Sequence, residues 1–134
     1  MNLRPSLIAL MASMLALSAS AASLSTHAER SDFRQTGRYH ETIELCAAFA
    51  REYPDAVRCE EFGRSPEGRP LLSLVVSRAA LTVEAARDKG LPVILIQGGI
   101  HAGEIDGKDA GFLALRELLQ GKAATGALDK LVLV

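Results

Sequence analysis

The residues best suited to chemistry are His101 and Glu104, which stand three positions apart in the glycine-containing segment 98–104. This segment directly follows the apolar run 93–96, which is typical of a strand buried on both faces of a sheet. In open α/β sheets, ligands bind at the carboxyl ends of such strands. Because an imidazole nitrogen and a carboxylate oxygen at one tight turn can share a zinc ion at about 2.0 to 2.2 Å, the pattern predicts a metal site. The alternative is a surface loop in which Glu104 only favours the amino terminus of the following helix.

Three other side chains could supply a third ligand: His27, His40 and Asp106. His27 lies in or beside the expected leader, His40 falls on the polar side of a predicted helix, and Asp106 is predicted to cap the next helix. A catalytic zinc site uses three protein ligands and a water molecule. The sequence therefore predicts two metal ligands in this chain, and none of these three side chains is expected to be the third.

Two helices are predicted from apolar residues that recur at spacings of three and four. The first covers 36–54, is capped by Thr36 and ends at Pro54. Its predicted apolar face comprises Tyr39, Ile43, Cys46, Ala50 and Tyr53. The second covers 107–120 and is expected to bury Phe112, Leu115 and Leu119, with Arg116 pointing elsewhere.

The strands are predicted from alternation and from short apolar runs. Segments 57–62 and 70–77 predict a β-hairpin around the turn 65–68, although the alternation slips at Glu61. Segment 79–90 indicates a short surface helix or a connection. Run 93–96 is predicted to be the central strand, and 131–134 another buried strand. This order predicts an α/β domain with a mixed, mostly parallel sheet flanked by helices.

Composition indicates one globular domain: 49% of the 134 residues are hydrophobic and 23% are charged. The net charge of -1 provides no basic surface, so nucleic acid is not an expected partner. With only two cysteines, the chain cannot form a cysteine-rich zinc site. Cys46 and Cys59 form either a disulfide in an oxidising compartment or two small buried thiols, and the sequence favours neither.

Residues 1–28 are predicted to be a signal peptide. Arg4 precedes the uncharged apolar run 7–17, and small residues then offer cleavage sites after Ala21 and after Ala28. We expect cleavage between 21 and 28 and an incomplete catalytic domain over 29–134. A stable membrane anchor would need about 20 apolar residues, which is more than this run provides. The prediction is export to the periplasm or the extracellular space.

Several blocks in the same order resemble the zinc carboxypeptidases of the carboxypeptidase A kind. Tyr39 and His40 are similar to the family's early helix, and 98–104 is similar to its Gly-x-His-x-x-Glu metal motif. Segment 62–71 is similar to its Gly-x-Ser-x-Glu-Gly-Arg-Pro hairpin. The resemblance covers about 36–134 and implies one zinc ion, with His101 and Glu104 as its first two ligands.

The resemblance also implies that several functional residues of the family are not among these 134 residues. Family members have a downstream histidine as third ligand, arginine and asparagine residues that hold the substrate carboxylate, and a late glutamate that activates water. Gly103 stands where some members carry a substrate-contacting arginine. Run 131–134 resembles the strand just before the family's Asn-Pro-Asp-type segment. We therefore expect the amino-terminal part of the domain, inactive by itself.

The implied reaction is hydrolysis of a peptide bond near the free carboxy terminus of a peptide or protein substrate. One alternative is a metal-dependent deacylase of small acyl-amino acids, although the hairpin and the signal peptide count against it. The other alternative is a non-catalytic exported module that binds peptide.

Overall fold

The computed structural model of the chain describes residues 24–101 and 103–134. Most of the predicted leader, including the cleavage candidate after Ala21, lies outside the described residues. None of the helices in these ranges is long and apolar enough to cross a membrane. The elements in chain order are α1 (His27–Arg30), α2 (Tyr39–Glu52), β1 (Val57–Arg64), β2 (Pro70–Val76), α3 (Val83–Asp88), β3 (Val93–Ile94), α4 (Asp106–Leu119), a 3-10 turn (Ala127–Asp129) and β4 (Val132–Leu133).

Strands β1 and β2 form the predicted hairpin. They pair antiparallel from Val57 opposite Val76 to Arg64 opposite Pro70, with an irregularity between Glu61 and Gly63. This β-bulge adds an unpaired residue to β1, which explains why the alternation slips at Glu61. The hairpin prediction is confirmed, and the slip was the sequence signal of the bulge.

The four-stranded sheet has the order β1-β2-β4-β3. Strands β3 and β4 are parallel and are separated in sequence by α4, whereas β2 pairs with β4 and β1 with β2 in antiparallel fashion. The α/β class is confirmed, and the sheet is mixed. The prediction of a mostly parallel sheet is wrong, because the β1–β2 pair and the β2–β4 pair are both antiparallel.

Strand β3 lies at the edge of the sheet, so the prediction of a central strand buried on both faces is wrong here. Val93 and Ile94 are each 42% exposed, and the following Leu95 is more exposed still. Within the described residues, β3 has a neighbour on only one side, which is β4. An apolar run indicates that both faces of a strand need to be buried, but the residues that bury them belong to other segments.

Helix α2 begins at Tyr39 after Arg38, without a side-chain cap, so Thr36 is not the cap that was predicted. The hydroxyl of Thr36 instead donates to Asp109 Oδ2 at 2.6 Å. The buried face also differs from the predicted one, and comprises Leu45, Cys46, Ala48 and Phe49. The buried face is displaced because α2 packs against both the β1–β2 hairpin and α4, where Phe49 stacks on Phe112 with ring centroids 5.8 Å apart.

Helix α4 agrees with its prediction within one residue at each end. It buries Phe112, Leu115 and Leu119 in the same core as α2 and the sheet. On another face, Arg116 contacts the segment around α1 and is not a free surface charge. The helix therefore anchors both the main core and the amino-terminal segment.

Cys46 and Cys59 form a disulfide, with their Cα atoms 5.4 Å apart. It joins the middle of α2 to β1, so it crosslinks the helix to the hairpin. The choice between a disulfide and two buried thiols, which the sequence left open, is thus decided in favour of the disulfide.

Candidate metal centre

His101 and Glu104 lie on the same turn, in the loop that connects β3 to α4. The Nδ1 atom of His101 is 2.6 Å from Glu104 Oε1. The backbone N–H of Glu104 donates to the carbonyl of His101 at 3.2 Å, and the N–H of His101 donates to Glu104 Oε2 at 3.3 Å. The turn therefore brings the imidazole and the carboxylate together, as a shared ligand role requires.

Close backbone contacts hold this loop against the start of α4. A Cβ atom added at Gly98 would lie 2.9 Å from the Cα of Gly107, and one added at Gly99 would lie 2.9 Å from the carbonyl oxygen of Glu104. Gly99 also has φ of 69°, which L side chains rarely adopt. Glycine at these two positions is what permits the loop to turn back beside the helix and to place Glu104 next to His101.

A second set of contacts fixes the first turn of α4. Lys108 Nζ donates to Glu41 Oε2 at 2.9 Å and to Asp109 Oδ1 at 2.5 Å, and Asp109 is buried. Burial lowers the pKa of Lys108, but its bonds to Asp109 and Glu41 outweigh that effect and raise the pKa above its ordinary value. The sequence alone gives no sign of this contact, because Glu41 in α2 lies 67 positions before Lys108 along the chain.

The side chains of His101 and Glu104 are of the types that bind zinc, and both are accessible to an ion from solvent. Imidazole nitrogen and carboxylate oxygen are zinc ligands, and both side chains are open to solvent. Two ligands of a tetrahedral ion at about 2.0 to 2.2 Å stand about 3.3 Å apart. The observed distance of 2.6 Å is shorter, so metal binding would require the two side chains to give up their mutual hydrogen bond and to separate slightly.

The other candidate ligands lie elsewhere. His40 Nε2 is 3.2 Å from Glu44 Oε1 on α2, and His27 Nε2 is 2.8 Å from Gln35 Oε1. Asp106 is the first residue of α4 and not its cap, since Ile105 occupies the cap position without a side-chain bond, so that prediction is wrong. Across the described ranges, no group of three or more His, Cys, Asp or Glu side chains could hold a metal ion.

The profile of the zinc carboxypeptidase family matches residues 42–134 of the chain. The chain belongs to this family. The family assignment that the resemblance implied is thereby confirmed, and the family is named for zinc-dependent carboxypeptidases. The ligand roles of His101 and Glu104 stay predictions.

The fold is similar to that of carboxypeptidase A from Helicoverpa armigera, with a TM-score of 0.62 and 24% sequence identity. The similarity covers 87% of this chain and 27% of that protein, so the chain spans about a quarter of the length of this relative. No curated protein matches the chain.

Proposed function

We propose that the chain is the amino-terminal part of an exported zinc metallocarboxypeptidase, in which His101 and Glu104 are two of the zinc ligands. The observation that carries this proposal is the convergence of His101 Nδ1 and the Glu104 carboxylate on one exposed turn after β3. Membership of the zinc carboxypeptidase family supports the same reaction class.

The proposed substrate is a peptide or protein with a free carboxy terminus. Zinc, when bound, would polarise the scissile carbonyl and bring the pKa of a water ligand toward about 7. His101 and Glu104 would hold the ion, and the close contact of Gly98 with Gly107 fixes the loop that carries them. The family resemblance implies that the third ligand and the proton acceptor come from a later part of the domain, so we propose that these 134 residues by themselves are inactive.

The disulfide supports the proposed export. Disulfides persist in the periplasm and outside the cell, whereas cytosolic reductants keep most thiols reduced. The Cys46–Cys59 bond therefore fits a chain that is delivered by its predicted leader to an oxidising compartment.

Calorimetric zinc titration tests the site. Structural zinc sites with four ligands provide about 10 to 16 kcal/mol, so two ligands should provide roughly half, which corresponds to a Kd of about 1 to 200 µM. His101→Ala and Glu104→Ala should each abolish this binding. The matched control is His40→Ala, which removes the histidine of a similar exposed His–Glu pair on α2 and should leave binding unchanged.

Two results would count against the site. Binding that survives both His101→Ala and Glu104→Ala would refute the ligand assignment. Submicromolar binding that both variants abolish would show that a third ligand lies within the chain.

Release of carboxy-terminal residues from a peptide, measured with and without chelator, tests the reaction. The chain alone should show none, and a version extended by any downstream reading frame should show chelator-sensitive release. Hydrolysis of acyl-amino acids but not of peptides by the extended version would favour a deacylase. Activity in neither assay would favour a non-catalytic module.

A further inference from the structure

The segment just before α1 is part of the folded domain. Leu24 is 1% exposed and packs in the main core with Phe49 and Leu115. Thr26 and Ala28 are buried as well. Residues of the predicted leader region therefore contribute side chains to the same core as α2 and α4.

The side chain of Thr26 caps α1, which is only one turn long. Glu29 N donates to Thr26 Oγ1 at 3.1 Å, and Thr26 N donates to Glu29 Oε2 at 2.9 Å. This reciprocal capping box satisfies two backbone donors at the start of the helix. Because isolated helices of this length are unstable in water, α1 depends on the cap and on its tertiary contacts.

Arg116 of α4 ties this segment to the rest of the domain. Its Nη1 atom donates to the carbonyl of Leu24 at 3.1 Å and to Glu29 Oε2 at 2.9 Å, while Nη2 bonds Glu29 Oε1. Both side chains are largely buried. Loss of the segment before residue 29 would remove the cap and one acceptor of Arg116, and would uncover the core beneath Leu24.

The two candidate cleavage sites therefore differ in their consequences. Hydrolysis of the Ala28–Glu29 bond would cut inside α1 and discard Leu24 and Thr26. Endopeptidases that remove leaders read a small-x-small motif near the end of the leader. The motif ending at Ala21 precedes every residue that the structure describes.

We propose that the leader is removed by hydrolysis of the Ala21–Ala22 peptide bond, and that the motif ending at Ala28 is not used. Water adds across the bond, so Ala21 gains the carboxylate and Ala22 the free amino group. Residues 24–28 then remain in the exported protein as the first part of the folded domain. This inference rests on the proposed export.

Amino-terminal sequencing and intact mass of the exported product, made from the full precursor, test the inference. A product that begins at Ala22 is expected, and a product that begins anywhere after Leu24 would overturn the inference. A product that still begins at Met1 would overturn the proposed export itself, and this inference with it, so the two failures are distinguishable.

Variants of the precursor provide a second readout on the exported protein. Leu24→Ala should lower the Tm by about 10 °C, or prevent recovery of folded protein, because it opens a cavity in the core. The matched control is the adjacent Ser25→Ala, which should change the Tm little. If Leu24→Ala has no effect while Glu29→Gln does, Leu24 is absent from the mature chain and the inference fails.

Discussion

The Cys46–Cys59 disulfide crosslinks α2 to β1, and its reduction should measurably lower the free energy of unfolding. The two cysteines are 13 positions apart, so the closed loop contains about 14 residues. In the chain-entropy model, opening such a loop returns about 10 cal/mol/K to the unfolded chain, which is about 3 kcal/mol at 25 °C. Domains have total stabilities of about 5 to 15 kcal/mol, so this is a large share.

Denaturation in urea with and without reductant measures the effect on the exported protein. On reduction, the urea midpoint should fall by about 3 kcal/mol divided by the m-value, and the Tm should fall by roughly 10 °C. The control is the double variant Cys46→Ala with Cys59→Ala, which should be insensitive to reductant. Its stability should be slightly below that of the reduced protein, because Cys46 is buried and alanine leaves a small void.

Two results would refute this reasoning. If alkylation shows both thiols free in the exported protein, the disulfide does not form and it no longer supports an oxidising compartment. If the bond is present but its reduction changes stability by less than about 0.5 kcal/mol, the constraint on the unfolded chain is not what the bond contributes.

Three further predictions concern other parts of the domain. Glu29→Gln should cost about 2 kcal/mol at pH 7, because it weakens a largely buried, charge-assisted pair with Arg116. The bond from Arg116 holds the pKa of Glu29 below its ordinary value of 4.5, so this stability should be lost as the pH falls below that value, and wild type and variant should converge in acid denaturation. Gly98→Ala should weaken zinc binding at least tenfold in calorimetry, because its Cβ would strike the backbone of Gly107. The chain alone should bind a hydrophobic dye and self-associate in light scattering, because its edge strand β3 is apolar and exposed.

The following results would contradict these three predictions. A constant difference between wild type and Glu29→Gln from pH 7 to pH 2 would mean that the carboxylate charge is not what stabilises the pair. Gly111→Ala is the matched control for the loop, since an added Cβ there meets no atom within 4 Å and alanine should stabilise α4 by about 1 kcal/mol. Equal zinc affinity in both glycine variants would contradict the close-contact argument. A monomeric chain without dye binding would contradict the edge argument.

The local elements could be predicted from the sequence because their causes are local. Alternation at period two and the turn residues 65–68 determined the hairpin, and even the bulge left its mark where the alternation slips at Glu61. The three-and-four spacing of Phe112, Leu115 and Leu119 determined the buried face of α4. The positions of His101 and Glu104 between an apolar run and a helix placed both on one turn, where the structure has them.

Only the tertiary structure decided which distant segments meet. Thr36 bonds Asp109 and not its own helix, and Arg116 bonds Glu29, because the packing of α4 brings these residues together across more than seventy positions. The pairing of Cys46 with Cys59 was equally open until the helix and the hairpin were in contact. The exposure of Val93 depends on which strands are present beside it. A residue's own preference is encoded locally, but its partner depends on how the whole chain satisfies its polar groups and covers its apolar surface.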